Sequence, residues 1–202
     1  MGYYPPTFLP TLNRFIRSWI AQGILYTDKS ERYFRIFIYI LTYFVLFVFC
    51  HKFFTFPHSL FLVLLINHTF SWILSGCIPM LMLDQHMVKP RPNEMEIKFN
   101  YLKRLLKITS EKEFISLCLV YGSLCRGEGH LRSDIDVRYI PKNDFISRLR
   151  TCSFAYFERL YCLVNFIPLG GGQVFDNFPK VINKMSSEET PIVLKGSNKL
   201  IL

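Results

Sequence analysis

The stretch Ile115-Ser116-Leu117-Cys118-Leu119-Val120-Tyr121-Gly122-Ser123, followed after a ten-residue spacer by Asp134-Ile135-Asp136-Val137, decides how this chain is read. The apolar run from Ile115 to Tyr121 predicts a buried strand that stops at Gly122, where a backbone without Cβ can turn sharply and lie close to a phosphate. Ser123 adds a hydroxyl there. The alternation Asp134, Ile135, Asp136, Val137 sets both carboxylates on one face of a second strand and both aliphatic side chains on the other. An oxygen-only pair of carboxylates suits a hard cation, and Mg²⁺ takes one or two carboxylates together with substrate phosphate oxygens.

Order and spacing matter more than either piece alone. The block Gly122-Ser123-Leu124-Cys125-Arg126-Gly127-Glu128, then Ser133-Asp134-Ile135-Asp136-Val137, resembles the pattern of the nucleotidyltransferase superfamily typified by DNA polymerase beta, in particular its small minimal members. Residues 115 to 140 carry the resemblance, which extends over 93 to 195 and leaves out the first 90. It implies an α+β domain, a small mixed β-sheet flanked by helices, that moves a nucleoside monophosphate from an NTP to a hydroxyl or phosphate acceptor. By the same resemblance Asp134 and Asp136 are catalytic and bridge two Mg²⁺ ions, while Gly122 and Ser123 hold the β- and γ-phosphates through backbone N–H groups. Arg126 and Arg138 flank this block as nucleotide-binding candidates, with a solvated basic side chain as the plain alternative for each. ATP is the expected nucleotide, although no short motif specifies the base.

Active members of the superfamily usually add an acid from a following strand. Here that strand contains Gly170-Gly171-Gly172-Gln173 and meets an acid only at Asp176, which is therefore the candidate third carboxylate. If the glycine run has replaced the acid, the chain binds nucleotide without transferring it, as a sensor or recruitment module at a membrane. His130, alone in the spacer, is left out of the catalytic set.

Half of the 202 residues are hydrophobic and 16% are aromatic, and the excess is local. Ile36 to Cys50 gives fifteen residues without a formal charge, extended to Phe54 if His51 and Lys52 lie at an interface, and Ser59 to Leu83 gives 25. Roughly 20 apolar residues cross a bilayer, so an α-helical transmembrane hairpin is expected over residues 34–84. Asn67, His68, Ser71 and Ser75 leave a buried core hairpin as the alternative, and Gly76 with Pro79 predicts a kink near the end of the second helix. Arg14, Arg17, Lys29, Arg32 and Arg35 precede the hairpin and a second basic group from Lys89 to Lys107 follows it, whereas the turn holds only Lys52. The positive-inside rule then puts both ends, and the catalytic domain, on the cytoplasmic side of the membrane.

The net charge of +9 is spread along the chain, which argues against a nucleic-acid stripe and points to membrane lipids as the partner of the basic residues. A lipid-linked acceptor follows only from the tether. Six cysteines without a Cys-x-x-Cys pair support neither zinc nor a disulfide framework. Residues 1–33 form an N-terminal cytoplasmic or interfacial segment with an amphipathic helix near 10–22, and Lys89-Pro90-Arg91-Pro92 ends a linker at 85–92. Within the 93–202 domain, a helix is expected over Asn93 to Lys107, with Met95, Ile97, Phe99, Leu102, Leu105 and Leu106 as an imperfect apolar face. A second, from Phe145 to Phe166, has Leu149, Phe154, Phe157, Leu160 and Leu163 available for burial, and a short third covers 177–185.

Overall fold

The predicted strand forms as β1 (Ile115–Tyr121), and its near-continuous apolar run reflects burial on both faces, only Ser116 being exposed. The computed structural model describes residues 8–21, 27–53, 55–74, 91–125, 129, 131, 133–177, 179 and 191–196. β2 (Ile135–Pro141) pairs antiparallel with β1, which sets Tyr121 opposite Asp136 and Leu119 opposite Arg138. β3 (Leu169–Val174) runs parallel to β2, and β4 (Ile192–Lys195) lies antiparallel to the other edge of β1, giving the order β3-β2-β1-β4. The domain is thus α+β with a small mixed sheet flanked by helices.

Five helices accompany these strands among the described residues: α1 (Phe8–Ala21), α2 (Lys29–Cys50), α3 (Phe56–Leu74), α4 (Glu94–Ser110) and α5 (Phe145–Val164). One sheet face, with Val120, Val137 and Tyr139, meets Tyr101 and Leu105 of α4 and Cys152 and Ala155 of α5. The opposite face holds Leu117, Leu119, Ile140 and Phe175. α5 starts where Asp144 accepts a hydrogen bond from the Ser147 N–H at 2.7 Å, an N-cap consistent with the predicted turn after Pro141.

The faces of both domain helices agree with expectation only in part: Leu105 is buried, and Ile97, Leu102 and Phe154 pack against the core. α4 buries Glu94, Lys98, Tyr101, Leu105 and Thr109 and leaves Phe99 and Leu106 exposed. α5 turns Thr151, Cys152, Ala155 and Cys162 inward and exposes Leu149 and Phe157. Small side chains let α5 lie close over the sheet, and the larger ones then have no room beneath it. Of the predicted helix over 177–185, all but residues 177 and 179 lies outside the described residues, as do Gly76, Pro79 and most of the linker.

α2 and α3 form the expected hairpin. Asn67, fully buried, accepts from the Thr42 hydroxyl at 2.6 Å and donates to the Tyr39 carbonyl at 3.0 Å, so polar side chains clasp the two helices to each other. Their apolar side chains mostly face outward, from Phe37 to Phe49 on α2 and from Phe56 to Phe70 on α3. Both helices are long and apolar enough to cross a membrane, and the uncovered faces differ from those of a hairpin buried in a core. α1 lies along α3: the Trp19 indole donates to the Thr69 hydroxyl at 3.3 Å, the Trp72 indole to the Ser18 hydroxyl at 3.0 Å, and the Trp19 and His68 rings meet edge to face.

The hairpin is docked on the domain as well as joined to it. β3 is an edge strand, and just past its end the Phe175 N–H bonds inward to the Tyr139 carbonyl, so the N–H groups on either side of it point outward. Carboxylates from the base of α2 meet them: Glu31 accepts from Val174 N–H at 2.7 Å, and Asp28, the α2 N-cap, accepts from Asp176 N–H at 3.0 Å. An otherwise open sheet edge is thereby satisfied by the helix that leads into the hairpin.

Candidate functional site

The site is built at the start of β2, where three turns of chain converge. Gly122 ends β1 with φ +86°, and a Cβ added there would lie 2.7 Å from Asp136 Oδ2. Only glycine fits both the backbone angle and that contact. The Cys125 N–H closes the turn back onto the Gly122 carbonyl at 3.0 Å, and Gly122 lies against the Asp136 carboxylate. Asp136 stands on the sheet face away from α4 and α5, while its neighbours Ile135 and Val137 enter the core, as the alternation predicts.

Asp134 is received by the glycine run. The β2–β3 ladder shifts register between Ile135 and Asp136, and Gly170 falls at that shift, between the residues paired with Ile135 and Asp136. A Cβ on Gly170 would come within 1.7 Å of Asp134 Oδ2. The missing side chain is therefore the space in which the Asp134 carboxylate rests, a role for glycine in a strand that depends on close approach. Gly170→Ala is expected to swing Asp134 out of this position with the fold intact, and to lower any Mg²⁺-dependent nucleotide affinity by about 10- to 100-fold. Titration with a fluorescent nucleotide alongside far-UV circular dichroism separates the two effects.

Lys98 is a member of the site that sequence reasoning missed. It is fully buried, its Nζ donates to the Leu131 carbonyl at 2.8 Å, and that carbonyl lies in the spacer three residues before Asp134. Burial holds its ammonium below the ordinary lysine range, while the carboxylates of Glu94 and Asp134 offset part of that shift. The visible signal was a lysine on the core-facing stripe of α4, four residues after Glu94 and three before Tyr101. Lys98→Met keeps the volume and removes the charge and the loop contact, and a nucleotide titration is expected to show about tenfold weaker binding.

Arg138 lies two residues beyond Asp136 on the same strand face, with its guanidinium 4.1 Å from the Tyr121 ring centroid and 5.1 Å from that of Phe175. Those rings hold it in a cation–π stack beside the site. Arg126 and His130 lie outside the described residues.

Asp176 is not brought to the pair. Because β3 runs parallel to β2 with Gly171 beside Asp136, Asp176 falls five residues farther along, roughly 16 Å away at about 3.3 Å per residue. The positions that share the face of Asp136 and Arg138 on β3 are Gly171 and Gln173. Among the described residues the site thus has two carboxylates rather than three, and no cluster of three or more His, Cys, Asp or Glu side chains suits a metal ion. Asp134 and Asp136 are oxygen donors beside a glycine turn, a donor chemistry that suits a hard cation such as Mg²⁺, and they are the residues that would hold one. Comparison of the chain with family models, with curated proteins and with solved structures gave no match.

Proposed function

We propose that this chain is a membrane-tethered, Mg²⁺-dependent nucleotidyltransferase that moves a nucleoside monophosphate from an NTP, with ATP the first candidate, to a hydroxyl or phosphate acceptor. The observation that supports it is the convergence of Gly122, Ser123, Asp134 and Asp136 at one end of β2, with a glycine bulge shaped to the Asp134 carboxylate. Asp134 and Asp136 would hold the ion, and the Gly122–Cys125 turn would offer backbone N–H groups to the triphosphate. An ion held there would supply positive charge to the phosphate oxygens, offsetting the charge that develops when the acceptor oxygen bonds the α-phosphorus and the bond to pyrophosphate breaks. The stacked Arg138 adds a fixed cation on the same face. The uncovered hairpin supports a bilayer location, and the basic residues at both its ends support a cytoplasmic domain; a lipid-linked acceptor fits such a tether.

One observation favours a second reading. With Gly171 and Gln173 in the positions where a third acid is expected, the site suits nucleotide binding without transfer, as in a sensor at the membrane. Detergent-purified protein incubated with Mg²⁺, each α-³²P-labelled NTP in turn and an extract of lipids and metabolites decides between them. Movement of label into an acceptor supports the transferase. Saturable NTP binding with no label moved selects the sensor, and absence of binding removes both.

A further inference from the structure

The junction that fixes α2 to the domain also encloses a groove of about 570 Å³ between the first turns of α2 and the start of α5. That volume lies within the range of about 300 to 1,000 Å³ found for small-molecule sites. Its walls are Tyr33 and Phe37 of α2 and Phe145 and Leu149 of α5. All four are exposed, Tyr33 at 70% and Phe145 at 78%, although each is a large apolar or aromatic side chain. From Phe37 the uncovered stripe continues along α2 through Leu41, Phe44 and Val48, so the groove opens onto the face that the hairpin offers to a bilayer. An occupant that enters from this side is itself partly apolar.

The other end of the groove is polar, and its charges are specific. Lys29 stands at the first turn of α2, and Arg148 reaches in from α5. The Arg148 Nη2 donates to Asn143 Oδ1 at 2.6 Å, whereas its Nε is buried with no hydrogen-bond partner among the described residues. The positive charge of Arg148 on this lining, with that of Lys29, calls for an anionic group in the groove. Asp176 lines the same end, its backbone held by Asp28. Two cations and one carboxylate at the mouth of an apolar groove match a headgroup that carries both a phosphate and an amine.

We infer that this groove binds one aminophospholipid, with the phosphate against Lys29 and Arg148, the headgroup ammonium toward Asp176, and an acyl chain along Tyr33, Phe37 and Leu149. The lipid wedges the hairpin against the domain. It is not the acceptor, because Asp176 lies at the opposite end of β3 from Asp136. The inference rests on the membrane part of the proposed function and not on the transfer chemistry.

The test is native mass spectrometry of the full chain in mild detergent, titrated with short-chain phosphatidylethanolamine below its micelle concentration and, in parallel, with phosphatidylglycerol of the same chains. One phosphatidylethanolamine per protein is expected to be retained. Arg148→Gln is expected to weaken retention about tenfold. Leu149→Trp, at an exposed position, fills the groove and removes retention, and Asp176→Asn erases the preference over phosphatidylglycerol without removing binding. No saturable lipid binding, or equal binding by wild type, Arg148→Gln and Leu149→Trp, overturns the site; equal binding of the two lipids by wild type overturns the amine assignment. No bilayer is needed for this assay, so its failure is distinct from failure of the membrane reading, which shows as release of the chain from cell membranes by alkaline carbonate.

Discussion

Asp136→Asn is expected to abolish label transfer and to weaken Mg²⁺-dependent NTP binding by at least about 100-fold, while the protein stays folded. Loss of an outer-shell partner of a metal ligand typically costs about 10- to 100-fold in affinity, so loss of the ligand charge itself lies at or beyond the upper end. Folding is spared because Asp136 is half-buried at the lip of the sheet, on the face away from the helix-packed core. The matching control is Asp176→Asn, which is expected to leave nucleotide binding unchanged, since β3 carries Asp176 to the other end of the sheet. Isothermal titration with each NTP, with and without Mg²⁺, reads both variants. Equal loss in the two would mean that the strand register drawn from the structure does not hold in solution.

Glu31→Ala is expected to have the largest effect on stability, about 3–5 kcal/mol, the usual cost of removing one partner from a buried ion pair. Glu31 is 1% exposed and receives Arg35 at 2.7 Å, Arg159 of α5, and the Val174 N–H of β3. Alanine leaves the Arg159 guanidinium, itself 4% exposed, and a backbone donor of the sheet edge without this acceptor. Glu31→Gln keeps an acceptor oxygen in place and is expected to cost less. Thermal unfolding of the detergent-solubilised protein measures both, and limited proteolysis is expected to cut between α2 and the domain more readily in the alanine variant. A change below about 1 kcal/mol for Glu31→Ala would show that the hairpin base does not depend on this cluster.

Much of the fold was legible from local pattern. The end of β1 at Tyr121, the turn at Gly122 and the placing of Asp136 on the face opposite Ile135 and Val137 all follow from alternation and from the missing Cβ, properties of a few consecutive residues. The hairpin was equally plain, because fifteen and 25 uncharged residues in a row allow few other readings. The helix faces of α4 and α5 were less so. A periodic count favours large apolar side chains, whereas the sheet accepted Cys152, Ala155 and the stem of Lys98. β4 went unread altogether: four residues are too few for a period, and they become a strand only because the edge of β1 is there to pair with.

By itself, then, the sequence determined the strand face of Asp136, the glycine turn beside it and the apolar hairpin, since each depends on neighbours in the chain. Only the tertiary structure decided that Gly170 makes room for Asp134, that Lys98 braces the spacer, that Asp176 stays away and that Glu31 closes the edge of β3. These contacts join residues far apart, Glu31 and Val174 being separated by 143 positions. A parallel pairing between β2 and β3 fixes which residues share a level, and one bulge at Gly170 moves every later side chain of β3 by a full position. Periodicity carries no record of that register, because it is set by how the strands close against each other and against α2.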